Sequence, residues 1–144
     1  MIKLLLVDDH QLVRTGIKRV LEEEPDVRVV AEASSGEEAL DRVREFDLDV
    51  VLMDVNMPGI GGLEATRRLI SRDDTLKIIA VSMHMEEPYP SRLFGAGAVG
   101  YMGKDASPVE MVTAIRTVMA GGHYVAPSIC LLYTSDAADD LFRV

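Results

Sequence analysis

Cysteine is nearly missing from these 144 residues, with Cys130 the only one. A lone thiol cannot form an intramolecular disulfide framework or a cysteine-based zinc site. Basic residues are scarce as well: 15 Lys and Arg stand against 24 Asp and Glu, a formal net charge of -9. Such a balance repels phosphodiester backbones, so the chain as it stands is a poor nucleic-acid binder. Long hydrophobic runs are also lacking. The longest, such as residues 4–7 and 50–53, reach about a quarter of a membrane span. Met1 leads into a strand-like segment with no basic n-region or cleavable h-region, so a soluble cytoplasmic protein is expected, without membrane partners. There is no internal repeat and no low-complexity tract. What remains, 48% apolar and 27% charged residues over the length of one ordinary domain, is enough to bury a core.

The apolar residues alternate between short aliphatic runs and longer segments of helical period, the pattern of a parallel sheet wrapped by helices. Five runs read as strands: residues 2–7, 27–32, 50–53, 77–81 and 99–102. The first, third and fourth are nearly continuous, as in strands covered on both faces; the second partly alternates, which places it nearer an edge. Between the runs, Leu12, Val13, Ile17, Val20 and Leu21 repeat at helical spacing, and the helix stops before Pro25. Ser34 or Ser35 can cap a second helix that buries Ala39, Leu40, Val43 and Phe46. A third opens between Gly59 and Gly62 and carries Leu63, Thr66, Leu69 and Ile70. The fourth, near residues 90–97, is short and bracketed by proline and glycine. Ser107-Pro108-Val109-Glu110 combines a serine cap, proline at the first helical position and a glutamate in the capping-box place. The helix it starts runs to the Gly121-Gly122 stop.

In an open parallel sheet, ligands gather beyond the carboxyl ends of the strands. Asp8 and Asp9 follow the first run, Asp54 the third, Ser82 the fourth and Lys104 comes after the fifth. Three carboxylates crowded in one crevice repel one another, and a hard divalent cation with oxygen ligands, Mg²⁺, is the natural compensation. Lys104 can offset the remaining charge and contact a phosphoryl oxygen, and the Ser82 hydroxyl can donate to another. Taken singly, each aspartate could be a turn former, Ser82 a cap and Lys104 a solvated lysine. Five such residues at the ends of four of the five strands argue for a shared site. His10 begins the first helix, where a metal role stands beside capping or a surface role; His84 and His123 carry no assignment.

The motifs Leu5-Leu6-Val7-Asp8-Asp9-His10, Val51-Leu52-Met53-Asp54-Val55-Asn56-Met57-Pro58-Gly59, Ala80-Val81-Ser82 and Gly100-Tyr101-Met102-Gly103-Lys104 resemble the receiver domain of two-component response regulators over about residues 1–126. Val13-Arg14-Thr15-Gly16-Ile17 and Ala96-Gly97-Ala98-Val99-Gly100-Tyr101 narrow the resemblance to the LuxR/NarL-type subfamily, and within it to the GacA/UvrY group of global regulators. The resemblance implies a flavodoxin-like (βα)5 fold: a five-stranded parallel sheet of order 2-1-3-4-5 with helices on both faces. It implies that Asp54 accepts a phosphoryl group from a sensor histidine kinase or phosphotransfer domain. Mg²⁺ would be held by Asp8, Asp9, Asp54 and the Asn56 backbone carbonyl, with Lys104 and Ser82 contacting the phosphoryl oxygens. On phosphorylation Ser82 would move inward and the Tyr101 ring would enter from outside, altering a homodimer face of fourth helix, fifth strand and fifth helix. Such a module is not a turnover enzyme; it promotes its own phosphotransfer and slow autodephosphorylation.

A haloacid-dehalogenase-type Mg-dependent phosphatase also sets aspartates and a lysine on a parallel sheet. It carries its nucleophile in an Asp-x-Asp pattern after the first strand and adds a cap; Asp8-Asp9-His10 lacks that spacing and the chain has no room for a cap. A stand-alone receiver with protein-only output is a third reading. The expected organisation is a receiver over residues 1–121 and the start of an interdomain linker over 122–129. Residues 130–144 read as a non-native stretch resembling an in-frame translation of a sequencing-library transposon adapter. A C-terminal helix-turn-helix domain, through which the intact protein would bind DNA, would then be missing.

Overall fold

A computed structural model describes residues 1–130 of the chain. The segment read as adapter-derived lies, from residue 131 on, outside the described residues. The elements run β1 (Ile2–Val7), α1 (Gln11–Leu21), β2 (Val27–Ala33), α2 (Gly36–Glu45), β3 (Val50–Asp54), α3 (Gly61–Arg72), β4 (Lys77–Ser82), α4 (Tyr89–Gly95), β5 (Gly100–Gly103), α5 (Pro108–Met119), β6 (Tyr124–Val125) and α6 (Pro127–Cys130). The strands form one sheet in the order β2-β1-β3-β4-β5-β6, and every neighbouring pair is parallel.

Period-two alternation on the inner strands splits the apolar residues between two faces. Leu4, Leu6 and Leu52 pack with Leu21 of α1 and with Ala114, Ile115 and Val118 of α5. Leu5, Val7, Val51, Met53 and Ile78 pack against Ala39 and Leu40 of α2 and Ala65 and Leu69 of α3. Each fully buried leucine or isoleucine contributes about 1.5–3 kcal/mol to this two-sided core. The expected edge position of β2 is realised, with Arg28 exposed between buried Val27 and Val29.

Four features depart from expectation. First, the sheet has six strands rather than five. Gly100 and Tyr101 pair with Tyr124 and Val125, the Ala126 amide donates to the Tyr101 carbonyl at 3.0 Å, and Ala126 and Ile129 are buried. Part of the segment read as linker is thus packed onto β5. Second, Leu12 and Val13 do not face the core: Leu12 is 86% exposed. The covered stripe of α1 runs instead through Arg14, Ile17 and Leu21; at about 3.6 residues per turn Leu12 stands on the side of the helix opposite Leu21. Third, Phe46 is exposed; it is the C-cap of α2, where the backbone has already turned extended and points the ring off the helical stripe. Fourth, α4 begins at Tyr89 and ends at Gly95, two residues short of the glycine expected to close it, Gly97.

Caps fall where the residue types place them. The Ser35 side chain accepts from the Glu38 amide at 3.1 Å, while the Glu38 carboxylate accepts from the Ser34 amide and hydroxyl. Those two bonds hold the Glu38 carboxyl below its usual pKa. The Ser107 side chain accepts from the Glu110 amide, but the Glu110 carboxylate accepts from the Tyr124 hydroxyl at 2.9 Å. That bond ties α5 to β6.

Gly62, the second residue of α3, packs directly against the backbone at the end of β3. A Cβ there would stand 2.5 Å from the Asp54 carbonyl oxygen and 2.7 Å from Val55 Cα, both backbone atoms that cannot swing aside. Gly62→Ala is therefore expected to cost about 2–3 kcal/mol through overpacking. Equilibrium urea unfolding checks this; an unchanged midpoint and slope would mean that α3 can slide away freely.

Candidate functional site

The carboxyl ends of β1, β3, β4 and β5 converge, and three of them close with the same local bond. The His10 amide donates to Asp8 Oδ1 at 2.8 Å, the Asn56 amide to Asp54 Oδ1 at 3.0 Å, and the His84 amide to Ser82 Oγ at 2.9 Å. In each case a short polar side chain at the strand end accepts from the backbone two residues on, a turn that aims the strand-end group into the crevice. The turn-former reading of these residues and the site reading hold together.

Asp54 is the last residue of β3 and only 1% exposed. Its Oδ2 accepts from Lys104 Nζ at 3.0 Å. Burial pushes the Asp54 carboxyl above its usual pKa; Lys104 and the Asn56 amide pull it down, and the charge of Asp8 pushes it up again. The outcome is a weakly solvated carboxyl group held by an ammonium and a backbone N–H. Asp8 is also buried. Asp9 Oδ1 is shut away from solvent and accepts no hydrogen bond among the described residues. Its nearest polar neighbour is His10 Nδ1 at 3.1 Å; a buried carboxylate oxygen that accepts no hydrogen bond is costly unless a cation satisfies it, so the donor set fits a divalent ion with hard oxygen ligands.

The loop after Asp54 is braced from α2. Gly59 has φ +81, and a Cβ there would lie 2.7 Å from the Glu37 carboxylate. That carboxylate accepts from the Ile60 amide at 3.3 Å. Pro58 and Gly59 thus shape a loop that leaves Asn56 exposed at the crevice rim.

Arg14 has a place here that the sequence reading did not give it. It is 13% exposed, its Nε donates to Glu32 Oε1 at 3.1 Å, and its guanidinium bonds the Asp8 carbonyl. Together with Asp8, Asp54, Gly103 and Lys104 it lines a cavity of about 30 Å³. That is room for about one water molecule and far below the several hundred Å³ of a metabolite pocket. The signal was available: an arginine three residues before Ile17 on the covered stripe of α1 is a buried polar residue, which is informative in a way an exposed one is not.

Tyr101 corrects the expected switch geometry. The ring is not outside; it is fully buried, tilted against Phe94 at 6.4 Å between centroids. Its hydroxyl donates to the His84 carbonyl, whose own amide donates to Ser82 Oγ. Burial pushes the phenol above its usual pKa, and Glu86 and Glu87 add to that. A phenol with a backbone acceptor inside is satisfied there, which is why the inward position holds. His84, which the sequence left unassigned, stacks on Tyr89 at 4.5 Å and so links the β4 end to α4.

A parallel sheet of this order with an acidic crevice, a buried aspartate and a lysine against it is the arrangement of a receiver-class module. The chain belongs to the response regulator receiver domain family, whose model matches residues 4–116. It is 56% identical over 129 residues to the response regulator GacA of Pseudomonas syringae pv. syringae (strain B728a), covering 90% of this chain and 60% of that protein. It is 52% identical to the response regulator UvrY of Escherichia coli (strain K12), covering 90% of this chain and 59% of that protein. A solved two-component response regulator of the LuxR family from Aurantimonas sp. SI85-9A1 superposes with a TM-score of 0.87 at 38% identity, covering 98% of both chains. The chain spans about three-fifths of the length of the curated relatives it matches. The receiver reading prevails over the dehalogenase-type alternative, and among the described residues no helix is long and apolar enough to cross a membrane.

Proposed function

We propose that Asp54 is the phosphoacceptor of a phosphorelay, and that its contact with Lys104 is the observation that carries this reading. An Asp54 carboxylate oxygen attacks the phosphorus of a phosphohistidine on a kinase or phosphotransfer partner. The O–P bond forms, the P–N bond breaks, and the leaving imidazole takes up a proton. Lys104, 3.0 Å from Asp54 Oδ2, holds the nucleophile and meets charge growing on the phosphoryl oxygens. Asp8, Asp9 and Asp54 with the Asn56 carbonyl would hold Mg²⁺, which when bound neutralises charge on the transferring group. Arg14, through the Asp8 carbonyl, fixes the end of β1.

Ser82 and Tyr101 act as the switch. The Ser82 hydroxyl turns from Tyr101 toward the phosphoryl oxygens, and the phenol keeps the His84 carbonyl, so the β4–α4 loop follows the pair. The readout is a face of α4, β5 and α5 that serves a homodimer. The names of the relatives support a regulator of transcription: a cytoplasmic protein whose DNA contacts come from a helix-turn-helix beyond residue 129. Residues 130–144 are then adapter-derived, a reading supported by the 129-residue span of the alignments to relatives. The genomic sequence downstream of residue 129 decides it.

Exposure of the chain to a small-molecule phosphodonor with Mg²⁺ is expected to add one acid-stable, hydroxylamine-labile phosphoryl group per chain, read by intact mass. Continuous phosphate release without accumulation of that adduct would reassign the chain to phosphatase chemistry.

A further inference from the structure

The chain does not leave the sheet where α5 stops. Gly121, at φ +91, turns it back, and the Gly121 and Gly122 amides donate to the Val118 and Thr117 carbonyls at 3.1 and 3.0 Å. Residues 124–126 then run beside β5. The Tyr124 amide donates to the Val99 carbonyl and the Ala126 amide to the Tyr101 carbonyl, both at 3.0 Å. Pro127 opens α6, and the Ile129 amide closes on the Ala126 carbonyl at 3.0 Å. Ala126 and Ile129 are buried in the core cluster that also holds Tyr101, Met102 and Leu93 of α4.

A second link reaches β6 from α5. A glutamate three residues after a serine cap ordinarily bonds back to the amide of the cap. Glu110 holds that place after Ser107, yet its carboxylate accepts from the Tyr124 hydroxyl at 2.9 Å. Ser107 stands three residues after Lys104, whose ammonium holds Asp54. β6 is thus tied to the strand of Tyr101 by backbone bonds and to the end of the Lys104 loop by a side-chain bond. A passive connector has no need of either.

We propose that β6 and α6 are an outlet of the switch: the segment docks more tightly on β5 when Asp54 carries a phosphoryl group, and so passes the state of the crevice along the same chain. The inference rests on the reading of Asp54 as phosphoacceptor and of Ser82 with Tyr101 as the switch. Its direction comes from the pairing seen here, an inward Tyr101 ring together with a docked β6 and α6. Whatever holds the ring inward favours the docked segment, and the coupling is reciprocal.

The test is amide hydrogen exchange on the full chain, read by mass spectrometry with and without a small-molecule phosphodonor and Mg²⁺, with intact mass to count the label. Exchange over residues 124–129 is expected to slow about fivefold or more on labelling, the lower end of ordinary coupling between sites. Residues 27–33 of β2, on the opposite edge of the sheet, should change by less than about twofold, and Asp54→Asn should show no slowing. Tyr124→Phe keeps the ring and removes the hydroxyl that reaches Glu110. It is expected to accept the label while losing at least about half of the slowing over 124–129.

Slowing over residues 99–103 without slowing over 124–129 would overturn the outlet and leave the switch reading standing. A fully labelled chain in which neither segment changes would overturn both. Equal slowing over 27–33 would mean general stiffening and would overturn the outlet as well. A wild-type response in Tyr124→Phe would overturn the part assigned to Glu110.

Discussion

Asp54→Asn is expected to reduce phosphoryl labelling to background while leaving the fold intact. The amide is isosteric with the carboxylate and can still accept from the Asn56 amide, but it has no nucleophilic anion to form an acyl phosphate. The same change is expected to raise stability in metal-free buffer by about 1 kcal/mol, because a charge 99% removed from solvent is costly even when paired. The sign follows from the pKa: burial raises the Asp54 carboxyl above its ordinary 3.8. Its protonation therefore favours folding at acid pH, and that contribution is lost as pH rises through the folded value. The asparagine variant should lack this loss. Intact-mass labelling and urea unfolding at pH 5 and pH 8 read the two effects; labelling of the variant at the wild-type level would mean that Asp8 or Asp9 is the acceptor.

Tyr101→Ala should be the most destabilising single truncation near the site, at about 3–5 kcal/mol. The ring is fully buried among β5, α4 and the loop after β4, and its removal leaves a cavity that this β-strand cannot collapse into. The hydroxyl contributes separately. Tyr101→Phe keeps the ring and strips the His84 carbonyl of its donor, an expected cost of about 1 kcal/mol. Thermal unfolding followed by circular dichroism should show a drop of roughly 10 °C or more for alanine and a few degrees for phenylalanine. Equal effects of the two would place the energy in the hydroxyl, and a negligible alanine effect would mean the ring lies outside in solution.

Why the strand ends were legible and Tyr101's position was not follows from the range of the interactions involved. β1, β3 and β4 are continuous apolar runs that only a doubly covered parallel strand explains, and the polar residue ending each run is local information. Asp8, Asp54 and Ser82 could therefore be set at one crevice before any coordinates. Tyr101's rotamer depends on a carbonyl 17 residues away, which no local pattern encodes. β6 is two residues long and too short to show a period. Leu12 is half a turn out of phase with Leu21 and Val13 sits at the margin of the covered stripe, so an apolar residue type there does not mark a core position. The burial of Arg14 depends on Glu32 of β2, 18 residues away, which no local pattern encodes. Phe46 was misjudged by one residue of helix, since its backbone leaves α2 at that position.

The pairing of β6 with β5 limits how two copies of this chain could meet. A bare strand edge is a template, and an incoming chain can extend the sheet by adding a strand to it. Here the outer edge of β5 is already occupied at Gly100 and Tyr101, and β6 offers only two residues in its place. Joining along this side cannot proceed by growing a shared sheet; it must be written in side chains on the helix faces, where single substitutions can re-specify a partner without touching the strand that carries Tyr101.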